Sequence, residues 1–158
     1  TGENIQLRRV AGIEGKCVNG YLHGNRIGVL VELDQSNPQL AKDLAMHIAA
    51  SQPQAIKADD LDPSLLAKER EIYQNQAKES GKPEAIIAKM VDGRIAKFIK
   101  EICLLGQPFV KDPDQTVGEL LASHNTQVLS FIRYELGEGI EVETVDFASE
   151  VQAQLKGE

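Results

Sequence analysis

The stretch that decides the fold is Lys16-Cys17-Val18-Asn19-Gly20-Tyr21-Leu22-His23-Gly24-Asn25-Arg26-Ile27-Gly28-Val29-Leu30-Val31-Glu32-Leu33. Residues 16 to 22 and 26 to 33 are short apolar runs that favour β-structure. The His23-Gly24-Asn25 segment between them brings Gly and Asn, which tolerate the positive φ of a tight turn. An antiparallel hairpin is the expectation. Upstream, residues 4 to 11 have the same β-favouring character and are predicted as another strand. Downstream, Asn37 is placed to cap a helix with Pro38 at its first position. Leu40, Leu44, Ala45, Ile48 and Ala49 then recur at helical spacing as far as Ser51, so this helix should lay one face on the sheet.

Beyond a polar connector, Ala55 to Asp62, the pattern changes to long charged helices. Pro63-Ser64-Leu65-Leu66 starts one, Ser80-Gly81-Lys82-Pro83 breaks it, and another runs from Glu84 to about Ile102. Ile87, Val91, Ile95, Phe98 and Ile102 form a seam of coiled-coil type, faced by Leu65, Leu66, Ile72, Tyr73 and Ala77. The pair is expected to project as a helical hairpin. Thr116-Val117-Gly118-Glu119 is a capping box that opens a helix ending near His124. Val128 to Leu136 reads as a strand joining the first hairpin's sheet, stopped by Gly137-Glu138-Gly139. A short amphipathic stretch, Val145 to Leu155, closes the chain as a helix. The fold class is α+β: a small antiparallel sheet packed with helices, a projecting helical-hairpin arm and a C-terminal helix. Its parts are residues 1–62 and 104–140 for the core, 63–103 for the arm and 141–158 for the terminal helix.

A chain of 158 residues can bury roughly 70% of its unfolded surface. The net charge of −7 and pI near 5.0 argue against a direct nucleic-acid partner, since that affinity rests on Lys and Arg displacing counterions. Cys17 and Cys103 lie far apart outside any CxxC spacing, which removes support for a zinc site or redox dithiol and fits a reduced cytoplasmic setting. No apolar run reaches the roughly 18 residues needed to span a bilayer, and no signal-peptide pattern opens the chain. Thr1 stands in place of Met, directly ahead of strand-like sequence, which raises the expectation that this is a piece of something longer.

The residues offer no catalytic constellation. His47 shares a helical face with Leu40 and Leu44, where a structural role is favoured, and His124 falls at a helix C-terminus, where the macrodipole favours a capping imidazolium. Cys17 beside Lys16 lacks a base or anion hole, so a strand-buried thiol is the simpler account. Asp59, Asp60 and Asp62 lack EF-hand spacing and its Gly, so a solvated loop and helix start is favoured over a cation site. No glycine set forms a nucleotide-phosphate cradle. His23 is the histidine placed for recognition, because a hairpin tip exposes its side chain on a rigid support.

Read together, several segments resemble the elongation factor Ts family. They are Asn4-Ile5 through Val10, Tyr21 to Val31, Ala45-Met46-His47-Ile48-Ala49-Ala50, Ser80-Gly81-Lys82-Pro83, Gly106-Gln107-Pro108-Phe109-Val110, and Phe131-Ile132-Arg133-Tyr134-Glu135 with Gly137-Glu138-Gly139-Ile140. The resemblance runs in collinear order over essentially the whole chain. It implies a non-enzymatic guanine-nucleotide exchange factor for elongation factor Tu, without a cofactor or metal. It also implies that His23, Gly24, Arg26 and Ile27 contact the partner's C-terminal β-barrel, and that the terminal helix around Phe147 and Val151 docks on its nucleotide-binding domain. The arm is implied in dimer or accessory contacts, and two core sheets can pair in a homodimer. The family's N-terminal domain and first core half, with the Thr-Asp-Phe motif that wedges beside the nucleotide, have no counterpart before Thr1. Asp146-Phe147 is not that wedge. The expectation is a docking surface with poor exchange activity; the competing reading is a self-association module.

Overall fold

The computed structural model describes residues 5–79 and 81–139. The quoted hairpin forms as β1, Cys17–His23, and β2, Ile27–Leu33, paired antiparallel from Cys17 opposite Leu33 to His23 opposite Ile27. Alternation then sorts the side chains: Val29, Val31 and Leu33 are buried on one face, while Gly28, Leu30 and Glu32 share the other. Helix α1, Pro38–Ser51, covers the first face. Its start is fixed as expected, with the Asn37 side chain accepting from the Leu40 amide at 3.1 Å ahead of Pro38. Leu40, Leu44, Ala45 and Ile48 fill the space between helix and sheet.

Helices α2, Pro63–Lys78, and α3, Glu84–Ile102, follow. They run antiparallel: Ala77 packs with Ile87, Val91 and Ile95, whereas Leu65 and Leu66 pack near Ile99 and Ile102. Tyr73 and Ile99 close against the first of these groups, and Phe98 is half-buried. Ile72, expected in the facing stripe, is 46% exposed and points away from it. Ala55, Leu61 and Cys103 join the base of this helical hairpin to the core. The acids of the connector serve its local geometry. The Asp60 carboxylate accepts from the Lys57 amide, and Asp62 caps α2 by accepting from the Ser64 amide at 2.9 Å.

The return segment forms two short strands that the sequence pattern does not signal: β3, Pro108–Phe109, and β4, Asp112–Thr116, paired antiparallel. Helix α4, Val117–Ser123, begins at the Thr116–Glu119 capping box and ends at His124. The His124 ring lies with Nδ1 at 2.9 Å from the Leu120 carbonyl. Strand β5, Val128–Glu135, joins the edge of β2, giving the order β1-β2-β5. This is an α+β fold with its main core between α1, the sheet and α4.

One predicted strand does not form. Within the predicted strand at residues 4 to 11, residues 5–11 form no strand. Their polar anchors are side chains instead of a backbone ladder. The Arg8 guanidinium donates to the Glu138 carbonyl at 2.7 Å, and Arg9 pairs with the Glu138 carboxylate at 2.8 Å. Ile5, Leu7 and Val10 remain 77%, 85% and 79% exposed, so the β-favouring apolar residues of this stretch have no core beneath them. The helix expected at Val145 to Leu155 lies outside the described residues.

Candidate functional site

The site grows from the turn joining β1 to β2. Gly24 has φ +55°, a conformation in which a side chain would be strained, and the Arg26 amide closes the turn on the His23 carbonyl at 3.4 Å. Such a turn leaves its polar side chains in solvent. His23, Asn25 and Arg26 are all exposed. The His23 ring is nevertheless oriented: its Nδ1 lies 3.1 Å from the Tyr21 hydroxyl two residues back on the same face, and the rings are 6.1 Å apart between centroids. Tyr21 itself packs against the main core. The imidazole at the tip is therefore connected to the protein interior through one aromatic side chain.

Arg26 and Ile27 lie where the hairpin meets β5. The Leu136 amide donates to the Arg26 carbonyl at 2.8 Å, extending the ladder past the pairing of Ile27 with Glu135. The Arg26 guanidinium stands 4.0 Å from the Glu135 carboxylate and is 73% exposed, so it remains available to another anion. Behind it, Arg133 is 8% exposed. It is held by Glu135 at 2.8 Å and by the Ala49 carbonyl at the end of α1 at 3.3 Å. A buried guanidinium with a carboxylate and a carbonyl on it is a rigid brace, since removing either partner would strand a desolvated charge. Glu138 completes the network, its carboxyl held below the usual carboxylate range first by the hydrogen bond from Arg9 and also by the nearby Arg9 and Arg133 charges. Arg9 also stacks over the Tyr134 ring at 4.5 Å.

A surface groove beside this network is lined by Gly24, Asn25 and Arg26 of the turn, by Leu136 and Glu138, and by Ile5 and Arg8. Leu22, at 78% exposure, and Leu136, at 71%, give it apolar character. His23, Gly24, Arg26 and Ile27 are thus gathered at one end of the sheet. Phe147 and Val151 fall outside the described residues. Sequence reading passed over Arg133, Glu135 and Glu138 as site residues; an arginine on the core-facing register of β5, opposite Val29, was the signal available.

The other candidate chemistry is dispersed. Cys17 and Cys103 are buried free thiols, and burial, with a contribution from Asp60, pushes the Cys103 thiol up and makes it a poorer nucleophile. Among the described residues no His, Cys, Asp and Glu side chains gather into a group that could hold a metal ion, and no helix is long and apolar enough to cross a membrane.

The fold and these groups define a class first: an α+β protein that carries a braced, solvent-facing hairpin and a separate helical pair. Comparison with known proteins then makes the class specific. The chain belongs to the elongation factor Ts family, whose model matches residues 1–138. Elongation factor Ts of Hahella chejuensis is 58% identical over 157 residues, covering 99% of this chain and 55% of that protein. The corresponding protein of Alkalilimnicola ehrlichii is 56% identical over 158 residues, covering 99% and 54%, and that of Pseudomonas aeruginosa is 52% identical over 157 residues, covering 98% and 54%. The chain spans about half the length of the curated relatives it matches.

Proposed function

We propose that this chain supplies docking surface for the exchange of guanine nucleotide on elongation factor Tu, in the bacterial cytoplasm. The observation that carries the reading is the braced tip: an oriented, exposed imidazole beside a largely free guanidinium, on a turn closed by its own hydrogen bond and tied to the residue after β5. The oriented imidazole and the fixed turn backbone lose little freedom on binding, which favours affinity, while ordering Arg26 costs part of that gain. His23, Gly24, Arg26 and Ile27 contact the GTPase, and Phe147 and Val151 add a second contact from the terminal segment.

The work done on the nucleotide is thermodynamic linkage. A protein that binds the nucleotide-free GTPase more tightly than the GDP form must weaken GDP binding by the same factor. No bond is made or broken, and neither cofactor nor nucleic acid takes part. Residues 1–158 dock without displacing GDP efficiently. In a fluorescent-GDP displacement assay, docking without strong acceleration is the expected result; release as fast as with a full-length relative refutes it. Capture of the GTPase by this chain should fall at least tenfold with His23→Ala, and unchanged capture removes His23 from the contact.

A second reading rests on the outer face of the sheet, where Leu22, Leu30, Ile132 and Tyr134 line an apolar surface groove. Two copies joined through that face, with the α2–α3 arm adding accessory contacts, would make a self-association module. Light scattering with and without the GTPase bound to GDP separates the readings: a dimer indifferent to the GTPase favours the second.

A further inference from the structure

His47 is fully buried on α1, yet both ring nitrogens have partners from the other side of the core. Nε2 lies 2.9 Å from the Gln107 side-chain oxygen, and Nδ1 receives the Val110 backbone amide at 3.1 Å. The proton's location follows from the rest of the network. The Gln107 side-chain nitrogen faces two carbonyls, that of Glu101 at 2.8 Å and that of Ser51 at 3.3 Å. Carbonyls only accept, so the amide nitrogen must face them and the amide oxygen must face His47. His47 then donates from Nε2 and keeps an unprotonated Nδ1 for Val110. An imidazolium would set its Nδ1–H against the Val110 N–H.

The position of this network gives it consequence. Ser51 ends α1, Glu101 lies in the last turn of α3, and Val110 begins the turn between β3 and β4. The same region ties the ends of the helical hairpin to the core: the Gln54 amide donates to the Ile102 carbonyl at 2.8 Å, and the Leu104 amide to the Ala55 carbonyl at 2.9 Å. Gly106 is required by crowding here, since a Cβ would stand 2.8 Å from the Lys100 backbone. On the surrounding elements Lys42 and Lys100 are exposed, and several other charged groups are engaged elsewhere. Asp43 pairs with Lys111 at 2.6 Å, Glu101 with Lys97 at 3.7 Å and Arg133 with Glu135 at 2.8 Å, while Asp112 accepts from Gln115. Burial lowers the proton affinity of His47, opposed only in part by Gln107.

We propose that His47 is a positioning residue that latches α1 to the base of the α2–α3 hairpin and to the β3–β4 turn only in its neutral, Nε2-protonated form, and that mild acid opens the latch. A released imidazole titrates near 6.5. Because the latched form resists the proton, the contribution is complete above that value and is lost as pH falls below it, by at most about tenfold at pH 5.5.

The test is nuclear magnetic resonance on the whole chain. At pH 7.5 the His47 ring should show the Nε2–H tautomer. The hydrogen-exchange protection of the Val110 amide, corrected for intrinsic rate, should fall more than twofold, up to about tenfold, between pH 7.5 and 5.5. In His47→Asn, whose side-chain oxygen accepts but does not titrate, that protection should change less than twofold over the same interval. An Nδ1–H tautomer, pH-independent protection in the unaltered chain, or the same fall in His47→Asn overturns the proposal. If the variant does not fold, the tautomer and the protection of the unaltered chain decide.

Discussion

Between α1 and the sheet, Val31, Leu44 and Ile48 are each 0% exposed and belong to a core shared with α4 and the segment before β3. Between α2 and α3, Ala77, Ile87, Val91 and Ile95 are buried along a single line, with solvent on either flank. Both regions repeat apolar residues at helical spacing, but the first is enclosed by several elements and the second by one partner helix. Layered enclosure makes a core cooperative, because a vacated volume is felt by several elements at once. A single seam can open from its free end while its base holds.

The largest expected effect tests the enclosed side. Leu44→Ala should cost about 3–5 kcal/mol, since its surroundings are too well tied to collapse into the space. Urea denaturation should show the fall in one transition shared by near-ultraviolet and helical signals. Ile95→Ala, at a site 6% exposed, should cost about 2 kcal/mol, at the low end for such a truncation because the flanks of the seam can close. Its signature is different: helical signal should be lost from α2 and α3 while the amides of β2 keep their protection. A single transition that lowers both together would show that the two regions are one cooperative unit.

How much of this was readable beforehand follows the same division. Elements fixed by nearest neighbours were legible: the Asn37-Pro38 start, the Thr116–Glu119 box and the Gly24-Asn25 turn are each determined within four residues. Burial that depends on tertiary placement was less so. Residues 5–11 carry β-favouring residues, but a strand also needs a neighbour to complete its ladder, and here arginine side chains provide the anchors. Ile72 has the right spacing for the seam yet faces water, because a two-helix contact is narrower than an apolar stripe. The bonds of His47 and Arg133 join residues far apart in sequence, to Gln107 and Ala49. Periodicity could place those side chains on a face but could not name what they meet.

The helix starts sharpen the comparison at smaller magnitude. Asn37→Ala removes the acceptor for the Leu40 amide and should cost about 1 kcal/mol. The corresponding cap on the arm is an acid. Asp62 is held below the usual carboxylate range first by the Ser64 amide and then by the Ser64 hydroxyl. Its contribution is therefore present above the ordinary Asp value near 3.9 and is lost as pH falls through and below it. Asn37 does not titrate, so acid should fray the start of α2 while leaving that of α1 capped. Amide protection at Ser64 and Leu40, followed from pH 5 to pH 3, checks this. Asp62→Asn should remove the pH dependence at Ser64, and equal fraying of both helices would break the distinction.

The smallest effect concerns the polar flank of the seam. Arg70 reaches Asp92 across the helical pair at 2.7 Å, with side chains 48% and 66% exposed. Water competes for both groups and ordering two long side chains costs entropy, so Arg70→Ala should lower stability by about 0.5 kcal/mol or less. Even that difference should shrink in about 1 M salt, where the screening length is near 3 Å. Thermal unfolding of the parent and variant at low and high salt measures it. A loss above about 1 kcal/mol that disappears in salt would mean that charge across the flank, more than the line of Ile87, Val91 and Ile95, holds the two helices together. The contrast with the enclosed core would then be one of force as well as geometry.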